Sequence, residues 1–160
     1  KEMGIHSYGK CEEDLLRYSA LVHDVGTFIS MTDHHKHSNY LIKNWGLLGF
    51  DNEEVEIIAT AALCHRKMSP KKVAGITLSP AHRRLVAVLA SIIRIADALD
   101  RSQLSVVREV ILRWIKEPSK MVIEVYAAED CPLEMWSLET KKVLFEQTFE
   151  VDLSIKRYSA

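Results

Sequence analysis

Histidines and aspartates set along the first hundred residues are the groups of this chain best suited to chemistry. His23 and Asp24 are adjacent, and an imidazole beside a carboxylate offers a borderline and a hard ligand to one divalent ion. The run Asp33-His34-His35-Lys36-His37-Ser38 puts three histidines in five positions before a helix start whose free amides also favour an anion. His65 falls on the apolar stripe shared by Ile58 and Ala62, so its ring points inward. Asp97 lies in the apolar middle of a long helical pattern, where an unpaired carboxylate costs several kcal/mol unless a cation meets it. Each also has a purely structural reading. His23 and Asp24 can cap a helix end, His65 can be a satisfied core histidine, and Asp97 can join an ion-pair ladder with Arg94 and Arg101 on its own helix. Cys64 beside His65 is not a nucleophile pair, because helical neighbours point about 100° apart.

Charge adds a second property. The chain carries a net charge of −1, but Cys64 to Arg101 holds eight basic residues against two acidic ones, or +6, and the rest 13 against 20, or −7. Lys36, Arg66, Lys67, Lys71, Lys72, Arg94 and Arg101 are therefore candidate contacts to phosphate oxygens, lysines as point charges and arginines as bidentate donors. The basic loop after His65 is equally a solvated surface. No nucleic-acid motif accompanies the patch, which argues against a nucleic-acid partner.

The elements that must position these groups follow from pattern and punctuation. A helix is predicted over Glu13 to Val25, with Gly26 as a left-handed stop, and a second from Ser38, as cap, to Trp45, closed by Gly46. Asp51 with Glu54 reads as a capping box for a third helix reaching His65. Ser79-Pro80 opens a fourth of about 22 residues to Arg101, apolar on nearly every face and therefore central. Beyond it the period changes to that of strands. A hairpin turning at Glu117-Pro118-Ser119-Lys120, a helix from Asp130-Pro132 and a final strand from Phe149 to Ile155 give a ββαβ tail. The expected fold is mainly α, a helical body over residues 1–104 followed by a small α+β appendage over 105–160. Trp45, Trp136, Met121 and Met135 read as core, Cys11 and Cys131 as filler, and His6 and His82 as surface.

Length and composition, 160 residues with 48% apolar and 27% charged, exclude disorder and low-complexity classes. The longest central apolar run, Leu85 to Ile93, is too short for a membrane span. Three scattered cysteines and an N-terminus without an apolar core imply a reducing, cytoplasmic setting. The chain begins at Lys1 rather than Met, which is expected of a piece of a longer polypeptide.

Taken in order, His23-Asp24, His34/His35, His65 and Asp97 resemble the HD superfamily of metal-dependent phosphohydrolases. The segments LVHDVG, HHKHSNYLIKN, CHRKMSPK, RIADALDRS and the late LEMW with LFEQTFEVDLSI are similar, more specifically, to the C-terminal half of the Ppx/GppA family, the exopolyphosphatases and guanosine pentaphosphate phosphohydrolases. The resemblance runs from about Leu15 to Ile155. It implies an HD-like helical domain acting with upstream actin-like catalytic domains of the same polypeptide, on polyphosphate or guanosine pentaphosphate, in a homodimer. It further implies His23, Asp24, His34, His35, His65 and Asp97 as ligands to Mg or Mn. The HD pattern opens with a histidine on an upstream helix, whereas here only His6 precedes His23. Six glycines, none in a G-x-G run, leave the chain without a phosphate loop of its own. Three functional readings stay open: domain of such a phosphatase, autonomous metal-dependent phosphohydrolase, and non-catalytic polyanion-binding or dimerisation module.

Overall fold

A computed structural model describes residues 7–66, 78–115 and 119–159. Its packing divides the chain into two compact units that meet in sequence at Ile93 and Arg94, inside the long helix. The first unit contains α1 (Lys10–Val22), α2 (His34–Trp45), α3 (Asn52–Cys64) and most of α4 (Pro80–Leu99), with a single 3-10 turn at Val25–Phe28 between α1 and α2. The second contains the end of α4, the hairpin β1 (Val107–Ile115) and β2 (Lys120–Ala127), then α5 (Pro132–Phe149) and β3 (Asp152–Ser159). The fold is mainly α with a small β appendage, as the periodicity predicts.

In the first unit α3 lies between α1 and α2. Its residues Ile57 to Ala62 are all buried, so it has no solvent face along that turn and a half. Its start is fixed locally. Asp51 accepts from the amides of Glu53 and Glu54 at 2.8 and 2.9 Å, while Glu54 accepts from the Asp51 amide at 2.9 Å. Asp51→Ala leaves the amides of Glu53 and Glu54 without their acceptor, and we expect it to lower stability by about 1 kcal/mol in urea melts, with Asp51→Ser recovering most of the loss.

Three local expectations are corrected. The second helix starts at His34, not Ser38, because Asp33 turns the chain in the left-handed conformation (φ 56) and its carbonyl accepts from Lys36 and His37. Ser38 is thus inside α2, buried, with its hydroxyl turned to the Gly26 amide. Gly26 is not a left-handed stop, since α1 ends at Val22 and Gly26 belongs to the 3-10 turn. Its reason is space: a Cβ there would lie 2.2 Å from the His34 carbonyl oxygen and 2.3 Å from the Ser38 nitrogen. Trp45 and Trp136 are not core, being 80% and 65% exposed. Gly46, at φ 69, does close α2, and Ser79 accepts from the His82 amide at the start of α4.

In the second unit β2 is central, antiparallel to β1 and parallel to β3, with α5 making the crossover. Met121, Ile123, Val125 and Leu153 share the buried face, on which Leu138, Leu144 and Phe145 of α5 complete the core.

Candidate metal and anion site

Three helix ends supply the candidate ligands. His23 caps the C-terminus of α1, Asp24 leads into the 3-10 turn, His34 is the first residue of α2 and His65 caps the C-terminus of α3. Helix C-termini leave carbonyls without intrahelical partners, and the two capping histidines use them. His23 Nδ1 donates to the Ala20 carbonyl at 2.7 Å and His65 Nδ1 to that of Ala62 at 2.6 Å. His34 does the same, with Nδ1 3.1 Å from the Met31 carbonyl. A carbonyl only accepts, so all three Nδ1 atoms carry hydrogen and all three rings present Nε2.

Those Nε2 atoms converge on one carboxylate. His34 and His65 lie 3.2 and 3.3 Å from Asp24 Oδ1, and His23 lies 3.5 Å from Oδ2. The Nε2 atoms of His34 and His65 are 3.2 Å apart. Asp24 Oδ1 is buried and, among the described residues, lacks a hydrogen bond of good geometry despite these neighbours. The His65 imidazole holds the Asp24 carboxyl down at about 2 against its ordinary 3.8, with burial opposing and the charges of His23, His65 and His34 adding to the depression. One carboxylate and facing ring nitrogens at such spacing call for positive charge between them, as protons or as a metal ion. Ligand atoms about 2.0–2.2 Å from one ion and at cis or tetrahedral angles stand about 2.9–3.5 Å apart, so Asp24 Oδ1, His34 Nε2 and His65 Nε2 fit that chemistry. His23, Asp24 and His65 likewise place one ligand atom each within 4.8 Å of the others.

The corner is held by close backbone packing. The missing Gly26 side chain lets the 3-10 turn lie on the first turn of α2, and the Gly26 amide donates to Ser38 Oγ at 2.9 Å. Asn39 Nδ2 donates to the Ala59 carbonyl at 2.9 Å, fixing α2 against α3.

The other candidates distribute as follows. His35 is buried with its ring 6.5 Å from that of His65, and its Nδ1 has no hydrogen-bond partner among the described residues. Burial lowers its pKa. Lys36 is tied to Asp33 at 2.7 Å on the surface. Arg66 is exposed, and its charge is felt at both Asp33 and His35. Lys67, Lys71, Lys72 and His6 lie outside the described residues. Asp97, Arg94 and Arg101 belong to the second unit, where Asp97 is ion-paired with Lys141 of α5. That partner was invisible to a reading confined to the Arg94 and Arg101 ladder. The Nδ1 bonds and the Gly26–Ser38 clamp were missed too, although a helix-terminal histidine facing its own i−3 carbonyl is a signal that spacing alone can flag.

Residues 3–142 match the model of the Ppx/GppA phosphatase family, domain III. A guanosine-5'-triphosphate,3'-diphosphate pyrophosphatase of Pseudoalteromonas translucida (strain TAC 125) is 38% identical over 52 residues, which is 32% of this chain and 10% of that protein. Among the described residues no helix is long and apolar enough to cross a membrane.

Proposed function

The chain belongs to the Ppx/GppA phosphatase family as its domain III, and from that premise we propose that the His23–Asp24 corner is an HD-type divalent metal site serving phosphoanhydride hydrolysis. The observation that carries this reading is the convergence of Nε2 of His23, His34 and His65 on the Asp24 carboxylate. An imidazole-rich set with one carboxylate suits Mn better than Mg, which prefers oxygen ligands and keeps its waters. A divalent ion in such a site supplies an acidified water and a clamp for phosphoryl oxygens.

In this reading Asp24 sets the site's charge, and the Nδ1 bonds hold His23, His34 and His65 with Nε2 inward. Arg66, beside the cluster, contacts a phosphate oxygen, with Lys67, Lys71 and Lys72 following it in sequence as further candidate contacts. The substrate class is a linear polyphosphate or guanosine pentaphosphate, the latter being the kind of compound the Pseudoalteromonas relative's name describes. Upstream actin-like domains of the same polypeptide carry the main hydrolytic machinery, in a cytoplasmic homodimer. Titrating the chain with Mn and then Mg by calorimetry tests the site. We expect one Mn bound per chain, more tightly than Mg, with proton release that scales with buffer ionisation enthalpy. Absence of saturable Mn binding would sink the metal reading and leave polyanion binding and dimerisation.

A further inference from the structure

Two cavities of the first unit adjoin at Tyr8, Glu12 and Leu85. One, of about 400 Å³, lies between α1 and α4 over Leu16, Leu85, Val88, Leu89 and Ile92. The other, of about 290 Å³, lies where α1, α3 and α4 begin, over Leu15, Ile57 and Leu85. The candidate metal corner is built at the C-terminal ends of α1 and α3, whereas these cavities gather at the N-terminal ends of the same helices. Along α4 they run from Ala81 to Ile92, which at 1.5 Å per residue makes a trough of about 16 Å.

Floor and rim differ in kind. Leu85, Val88, Leu89 and Ile92 recur at intervals of three, one and three, the seam by which one helix accepts another. The rim is acidic, with Glu12, Glu13, Asp51, Glu53 and Glu54 against Lys10 and His82. Lys10 is engaged by Glu13 and Asp14 at 3.3 and 3.2 Å, and His82 lies 2.8 Å from Glu53. Helix capping holds three of the carboxylates in place. Glu12 accepts from the Gly9 amide at 2.7 Å, Asp51 from the amides of Glu53 and Glu54, and Glu54 from that of Asp51. Each does so through one oxygen, so its second oxygen keeps acceptor capacity for a cation. An apolar trough between fixed carboxylates is complementary to a cationic segment with an aliphatic stripe. We propose that it receives a basic amphipathic helix of a partner protein. Aliphatic anchors at i, i+3 or i+4 and i+7 would fill the two cavities, while flanking Lys or Arg meet Glu12 and Glu13 of α1 and Asp51, Glu53 and Glu54 at the start of α3. A free polyamine carries the same charge but has no branched side chains to fill cavities of this volume.

Fluorescence anisotropy of the full chain with a labelled peptide of about 14 residues, near the shortest that holds a helix, is the test. Leucines recur in the peptide at i, i+3, i+4 and i+7, and its other positions are Lys or Ala. The expected result is saturable one-to-one binding with a dissociation constant of about 10 μM that weakens as salt rises. Glu13→Lys combined with Glu53→Lys, both exposed on the rim, should raise that constant at least about tenfold. Leu16→Asn, at the lip of the larger cavity, should do the same with the helical circular dichroism unchanged. Two control peptides should not bind: one with Glu in place of Lys, the other of unchanged composition but with the apolar stripe shuffled. A chain that shows no saturation by about 1 mM peptide overturns the proposal. So does equal binding of either control, or an affinity indifferent to both sets of substitutions. Displacement of the peptide by an equal concentration of spermine would make the trough a polyamine site instead. Loss of peptide binding as the chain self-associates would give it to a second copy.

Discussion

Gly26→Ala is expected to cost about 3 kcal/mol or more of stability and to weaken Mn binding by at least about tenfold. The added methyl would lie 2.2 Å from the His34 carbonyl oxygen, 2.3 Å from the Ser38 nitrogen and 2.8 Å from the His37 carbonyl carbon. All three are backbone atoms in the first turns of α2, so no rotamer change relieves the overlap. The 3-10 turn must then lift from α2 by on the order of 1 Å, a displacement comparable to those that degrade preorganised sites. Lifting it breaks the buried Gly26 to Ser38 hydrogen bond and carries Asp24 away from His34. Gly46→Ala is the control. Its φ of 69 makes an alanine there strained by about 1 kcal/mol, but nothing lies within 4 Å of the new methyl, so Mn binding should not change. Chemical denaturation and Mn calorimetry on both variants separate the two mechanisms. Equal metal affinity in Gly26→Ala and the parent would show that the corner does not depend on this contact.

That glycine shows where the sequence is legible and where it is not. The capping box of α3, the Ser79-Pro80 start and the closing Gly46 are all local devices, in which the signal and its partner lie within four residues. Each was readable, while Glu117 and Pro118 of the expected hairpin turn lie outside the described residues. Gly26 acts on residues 8 to 12 positions away, and a single sequence does not distinguish a glycine needed for close approach from one needed for positive φ. The start of α2 was missed for a related reason: Asp33 begins it by backbone conformation, with no side-chain bond to advertise it. On α5 hydrophobicity pointed the wrong way. Glu134 and Ser137 are buried there while Trp136 is exposed, because the Glu134 carboxylate accepts from the Ser102 amide at 2.8 Å inside the unit. For the candidate site, residue types announced His23, Asp24, His34 and His65 as a group, and His65 does point inward as its stripe requires. The pairing of Asp97 with Lys141 was not legible, since the two are 44 residues apart and joined only by the fold.

Asp24→Asn keeps the shape of the corner and removes its charge, so it isolates what the carboxylate does. Without a metal, the contact with the His65 imidazole, joined by the charges of His23, His65 and His34, holds the carboxyl at about 2. A metal ion between the carboxylate and the rings would supply the same attraction more strongly. Asparagine offers no net charge to either, and Mn affinity is expected to fall at least about a hundredfold, beyond the usual loss for a neutral, isosteric ligand change. Stability should change with a definite sign. A carboxyl held below its ordinary 3.8 stabilises the fold above that value, and the contribution disappears as pH falls toward about 2. Asp24 is 41% exposed, so solvent screening reduces the effect to about 1 kcal/mol. The wild-type chain should therefore melt above Asp24→Asn from pH 5 to 7, and the two curves should converge between pH 4 and 2, where the asparagine has nothing left to lose. A constant gap across that range would mean that Asp24 acts through shape alone. A wild-type curve lying below the variant at neutral pH would mean that the carboxylate is unfavourable in this corner until a metal fills it.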